Sequence, residues 1–221
     1  MNEKTILNQS KVTNLIYFNP SSIQEEFGDI SNIKTLLESR DKLSIHPTDS
    51  EMHKGRAIYR NISKNIYDVI KNSGRFCSGI NLEFVKTSLL QAHAILLVAE
   101  GKSISGFATL IFNSNENLLY IDLICTNIEV KGCGTYMVEM LKELSGVVGL
   151  SSIQLSSVTS AVPFYLKHHF MCDDLCTLRL KVPKMAFKSK SKSKSKSKSK
   201  SKSKSKSKSK SKSKSTTMKT M

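Results

Sequence analysis

Between His93 and Cys125 three apolar runs are separated by turns too short for anything but a reversal of direction. His93 to Glu100, Ile104 to Phe112 and Leu118 to Cys125 read as strands, with Gly101-Lys102 and Asn113 to Asn117 as the turns between them. Connections of this length set successive strands side by side and antiparallel, because a parallel return needs about a dozen residues or more. Glu129-Val130-Lys131-Gly132-Cys133-Gly134-Thr135 then makes a glycine turn, and the next residues form a helix with Met137, Met140, Leu141 and Leu144 on one face, expected to end near Gly146. Ile153 to Val158 reads as a strand, Ser160 to His169 as a helix with Pro163 in its first turn, and Leu175 to Val182 as a last strand. The strand after a crossover helix should lie parallel to the third strand. The expected fold class is therefore α/β, a mixed and largely antiparallel sheet flanked by helices, with a crevice where the parallel pair diverges at a helix N-terminus.

The rest of the chain is less regular. Leu15 to Phe18 is strand-like and closed by Asn19-Pro20, Ile30, Ile33, Leu36 and Leu37 make a helical stripe, and a helix from about Ile62 carries Ile66, Val69 and Ile70 and ends at Gly74. Residues 188–215 alternate Lys and Ser without a break, and hold 14 lysines and no acid. Of 34 basic residues in the 221, setting aside those and Lys219 leaves 19 against 18 acidic residues in positions 1–187, so the body is nearly neutral. The expected organisation is an N-terminal extension over 1–60, one domain over 61–187 and a tail over 188–221, whose Lys-Ser run at 188–215 has no apolar side chain with which to fold alone. As a coil those 28 residues would span roughly 30 Å, further extended by self-repulsion.

Composition excludes some classes. The longest purely apolar run, Ala94 to Ala99, is six residues where a membrane helix needs roughly 20. The N-terminus does not read as a secretory signal, and five cysteines at irregular spacing do not read as a secreted disulfide framework. The expectation is an intracellular protein, cytoplasmic or nuclear, with reduced thiols.

The glycine turn lies between a strand and a helix, where free amides and the helix dipole favour an anion. Gly132 and Gly134 would allow a diphosphate to approach the backbone. A P-loop needs Gly-Lys-Ser/Thr, which is missing, and a dinucleotide fingerprint needs a third glycine at the place of Met137. A plain strand-to-helix turn is the alternative.

Beyond this reading, the stretch from about His93 to Phe170 resembles the GNAT superfamily of acyl-CoA-dependent N-acetyltransferases. The resemblance is carried by the antiparallel strands, the turn, and Ala161-Val162-Pro163-Phe164-Tyr165-Leu166-Lys167-His168-His169-Phe170. Val130 to Thr135 followed by Leu141-Lys142-Glu143 is most similar to the histone acetyltransferase branch. The resemblance implies acetyl-CoA as co-substrate, with Leu123, Ile124 and Cys125 along its pantetheine and Lys131, Gly132, Cys133, Gly134, Thr135 and Tyr136 around its pyrophosphate. Lys131 stands where the family usually has Arg or Gln, Tyr136 where it has Gly or Ala, and His169 where it often has Gly.

Acetyl transfer to an amine needs a polarised carbonyl, a base for the amine and an acid for the leaving thiolate. A strand amide near Ile124 can supply the first. The resemblance implies Tyr165 as the acid, the alternative being a core aromatic on an amphipathic helix. It also puts Leu118 at the position of the histone branch's glutamate, and leucine takes no proton. Asp122, on the face of Leu118 by period-two alternation, is the candidate base, with Glu116 and a base-free route as alternatives.

Three other features have plain readings. His168-His169-x-x-Cys172-x-x-x-Cys176 has zinc-compatible residue types but no CxxC, so no metal site is expected. Cys133 as a nucleophile lacks a base partner and reads as turn filler. The tail is a polyelectrolyte expected to bind nucleic acid or acidic surfaces without sequence preference, with a self-acetylation substrate and an extension without a role as alternatives. The expected function is acetyl-CoA-dependent N-acetyl transfer to a primary amine, a protein lysine or a small amine. The alternative is an inactive acyl-CoA-binding scaffold with a basic tail.

Overall fold

The computed structural model describes residues 5–20, 22–23, 44–46, 52–77, 79–174 and 177–182. The chain divides into two units, Met1–Ala186 and Phe187–Met221, and every described residue belongs to the first. The helical stripe at Ile30 to Leu37 and the Lys-Ser tail lie outside the described residues.

In chain order the strands are β1 (Thr5–Ile6), β2 (Val12–Phe18), β3 (Ser44–His46), β4 (Ala94–Glu100), β5 (Ser103–Asn113), β6 (Leu118–Thr126), β7 (Val130–Lys131), β8 (Ser152–Ser156), β9 (Met171–Asp174) and β10 (Thr177–Lys181). The helices are α1 (Met52–Ser73) and α2 (Leu82–Gln91) before β4, α3 (Cys133–Val148) after β7, and α4 (Val162–Lys167) after β8, preceded by a 3₁₀ turn at Thr159–Ala161. Eight strands make one sheet in the order β3-β2-β4-β5-β6-β8-β10-β9, while β1 pairs with β7 in a separate two-stranded ladder. β2, β4, β5 and β6 are successively antiparallel, and β8 lies parallel to β6, as the short turns and the crossover helix require.

The sheet has a hydrophobic layer on each face. Cys133, Met137, Leu141 and Leu144 of α3 and Tyr165 of α4 pack against Leu96, Leu110, Leu119 and Ile153 on one side. Tyr59, Ile66 and Ile70 of α1 with Val85 and Leu89 of α2 pack against Ile95, Leu97, Phe107 and Leu123 on the other. Fully burying one such side chain contributes roughly 1.5–3 kcal/mol, so the two layers hold the helices on the sheet against the entropy of ordering them. Gly106 of β5 shows how close α3 comes. A β-carbon there would lie 2.6 Å from Met137 Sδ and 2.8 Å from Cys133 Sγ.

Several expectations change. β2 belongs to the main sheet, so the N-terminal region supplies part of the core. α2 was not legible as a helix. Asn81 caps it, its side chain accepting from the Glu83 amide at 2.8 Å. α3 runs past Gly146, which is buried at its packed face, and stops at Val148, where Gly149 takes φ 85° and donates to the Ser145 carbonyl. The expected last strand is β10, and a further strand, β9, precedes it and pairs with it antiparallel. Cys77 and Cys125, 48 residues apart in sequence, bring their sulfurs together with Cα atoms 5.4 Å apart.

Candidate active site

β6 and β8 are in register from Leu118–Ser152 to Ile121–Leu155 and no further. Beyond Ile121 the edge of β6 turned toward β8 has no strand partner among the described residues, and a cleft of about 730 Å³ opens there. Its walls are Tyr120 to Cys125 of β6, Leu155 to Val158 at the end of β8, Ala161 and Tyr165 around α4, and Cys77, Gly79, Ile80, Asn81 and Phe84 from the α1–α2 connection and α2. Its size falls within that of small-molecule sites.

A β-bulge sits at the mouth of this opening. Leu110 pairs with Ile121 and Thr109 with Leu123, so Asp122 is an extra residue with no partner on β5. The bulge changes the face on which side chains emerge. Leu119 and Ile121 join the α3 layer, whereas Leu123 and Cys125 join the α1–α2 layer, although all four are two apart in sequence. The alternation that would put Asp122 on the face of Leu118 is therefore interrupted at Asp122 itself. Leu118 is buried, and Asp122 is partly exposed and lines the cleft.

Tyr165 is buried, edge-on to Phe164 at 5.0 Å and Phe170 at 5.5 Å, and it lines the cleft. Its hydroxyl makes no hydrogen bond with a described residue. Burial pushes its pKa from 10.0 up to about 12, so the phenol keeps its proton throughout the neutral range. Tyr165 is thus a core aromatic that also lines the cleft.

The glycine turn does not line the cleft but adjoins its end. The lining stops at Cys125 and Tyr165, and their chain neighbours Thr126 and Phe164 flank Gly134. A β-carbon on Gly134 would meet the Phe164 ring at 3.3 Å, so this glycine makes room for α4. Gly132 is different. It takes φ 85° at the N-cap of α3, and a β-carbon there would meet nothing within 4 Å. The amides of Cys133, Gly134 and Thr135, the first three helical residues, make no hydrogen bond with a described residue, while Tyr136 donates to the Gly132 carbonyl. Three free donors at a helix start fit a diphosphate. The rest of the turn is committed elsewhere. Ile6 pairs with Lys131, and the Leu7 amide donates to the Lys131 carbonyl at 3.1 Å. Tyr136 accepts at its hydroxyl from Asn14 Nδ2 at 2.6 Å, which ties its bulk to β2.

Cys133 is not turn filler. It is fully buried, its thiol donates to the Ser105 carbonyl at 3.2 Å, and burial pushes its pKa from 9.0 up to about 12. A thiol held protonated under the sheet is a structural group. His168 is partly buried at the end of α4, with Nε2 3.3 Å from Thr135 Oγ1 and Nδ1 3.4 Å from Glu139, so it joins α4 to the first turns of α3. His169 takes φ 67°, the left-handed conformation a glycine would adopt at this helix exit.

No protein-family model matches the sequence, and no curated protein matches it. Among solved structures, the chain is similar to one from Lactobacillus plantarum described as an N-acetyltransferase, with 11% identity over 57% of this chain and 92% of that one and a TM-score of 0.47. It is also similar to the ribosomal-protein-S18-alanine N-acetyltransferase from Escherichia coli, with 13% identity over 58% and 92% of the two chains and a TM-score of 0.44. An acetyltransferase of the GNAT family from Streptococcus pneumoniae is 16% identical over 55% and 95%, with a TM-score of 0.41. What the site can do is read from its own atoms.

Proposed function

We propose that this chain is an N-acetyltransferase that takes its acetyl group from acetyl-CoA and passes it to a primary amine in the cleft. One observation carries the reading: a parallel strand pair parts beside a tyrosine hydroxyl, and the opening adjoins a helix start with three amides, all of them without a hydrogen-bond partner among the described residues. This matches an extended thioester with a diphosphate at its far end. The co-substrate, when bound, supplies a thioester carbonyl activated for attack.

The residues then divide the work. Cys133, Gly134 and Thr135 donate their amides to the diphosphate, and Lys131 adds a positive charge beside them. Leu123, Ile124 and Cys125 lie along the opened edge of β6, where the backbone near Ile124 can polarise the carbonyl. Asp122 takes the proton from the incoming amine as the N–C bond forms. Tyr165 gives its proton to the sulfur as the C–S bond breaks, burial having kept the phenol protonated up to that point. The Lys-Ser tail adds non-specific attraction to polyanions, lost steeply with salt.

Replacement of Tyr165 by Phe tests the acid role. It removes only the hydroxyl, so turnover should fall about a hundredfold while acetyl-CoA affinity stays unchanged. Unchanged turnover would remove Tyr165 from the chemistry.

A further inference from the structure

We propose that the acceptor is a primary monoamine on an apolar arm, and that Asp122, Phe84 and Val158 select it; this rests on the acetyl-transfer reading above. Among the described residues lining the cleft, Asp122 is the one charged side chain, and no Lys, Arg or His joins it. The remaining wall is largely aliphatic and aromatic. At the rim, Phe84 on α2 is 45% exposed and Val158 beyond β8 is 71% exposed, two large apolar side chains that a ligand can cover.

The charge balance decides the class. One ammonium entering the cleft finds one carboxylate at the bulge, and its apolar arm covers Phe84 and Val158. A second ammonium on the same molecule finds no described partner there and loses hydration without compensation. Polyamines are disfavoured for this reason. So are the lysines of the chain's own tail, since alternate residues of an extended segment stand roughly 7 Å apart and each modified lysine would bring charged neighbours to an apolar rim. Asp122 is both the anchor for the ammonium and the base that neutralises it. Phe84 and Val158 act on specificity alone.

The test uses the full-length protein with acetyl-CoA and four acceptors: 2-phenylethylamine, n-hexylamine, spermidine and a Lys-Ser peptide. The two monoamines should show kcat/KM values at least tenfold above spermidine and the peptide. Phe84→Glu and, separately, Val158→Glu place a second carboxylate at the exposed rim. Each should shift the ratio about tenfold toward spermidine, with acetyl-CoA affinity by calorimetry unchanged. If acetyl-CoA binds and spermidine or the peptide is acetylated as well as the monoamines, the acceptor class is wrong and acetyl transfer stands. If acetyl-CoA does not bind the folded protein, both readings fall together.

Discussion

One wall of the cleft is built by neighbours in sequence and the other by distant parts of the chain. Asp122 to Cys125 of β6 line the cleft and the turn and helix start up to Tyr136 adjoin its end, so the proposed co-substrate track lies in a single stretch, completed by Tyr165. The other wall comes from Leu155 to Val158 and Ala161 and from Cys77, Gly79, Ile80, Asn81 and Phe84, the latter group tied to the end of β6 by the Phe76–Asn127 bridge, the Ile128 amide on the Arg75 carbonyl at 2.9 Å, and the Arg75–Glu129 ion pair at 3.1 Å. A locally encoded wall reveals its chemistry in sequence. An assembled wall reveals its selectivity only once folded.

The largest expected effect falls on the local wall. Tyr165→Phe should cost about a hundredfold in turnover with little change in melting temperature, whereas a substitution on the assembled wall such as Phe84→Ala should change acceptor preference and leave acetyl-CoA affinity intact. Equal loss of co-substrate affinity in both would erase the distinction between the walls.

Packing beneath the local wall comes next. Gly106→Ala puts a methyl group against Met137 Sδ, Cys133 Sγ and the Cys125 carbonyl, so it should lower unfolding free energy by about 1–3 kcal/mol in denaturant titration. An unchanged midpoint would show that α3 can yield at its first turn.

Alkaline pH probes the same layer. Cys133 and Tyr165 are each raised to about 12 by burial, and Tyr59 on the other face is raised as well. Their native forms hold protons that the unfolded chain gives up near pH 9 for the thiol and pH 10 for the phenols. The unfolded state is thus favoured progressively as pH rises above about 9, and stability from these groups is complete below that. Cys133→Ala should remove the earliest part of the decline, measured as melting temperature between pH 8 and 11.

The smallest effect is at the helix exit. His169 holds φ 67°, so His169→Gly should relieve about 1 kcal/mol of backbone cost and raise the melting temperature slightly.

Much of the fold was legible because its signals are local. Short turns fixed the antiparallel strands, a crossover helix fixed the parallel one, and Gly74 marked the end of α1. α2 escaped because its apolar residues point both ways: Val85 and Leu89 are buried while Phe84 and Leu90 are exposed, so no clean period survives. The bulge at Asp122 escaped because nothing in Ile121-Asp122-Leu123 distinguishes an extra residue from ordinary alternation. The turn at 132–135 was legible, but the packing at Gly134 was not. Its missing side chain accommodates Phe164, thirty positions away in sequence, and only the packing of α4 shows it.

The central claim is that the start of α3 holds the diphosphate of acetyl-CoA, and Thr135→Glu tests it most directly. Thr135 is exposed at the third helical position, where a carboxylate favours the helix dipole and so should maintain or raise stability. The same carboxylate repels a diphosphate. The account predicts that calorimetry on the full-length protein finds acetyl-CoA binding in the wild type and at least a hundredfold weaker binding in Thr135→Glu, at an equal or higher melting temperature. Equal affinity in the two proteins would contradict it.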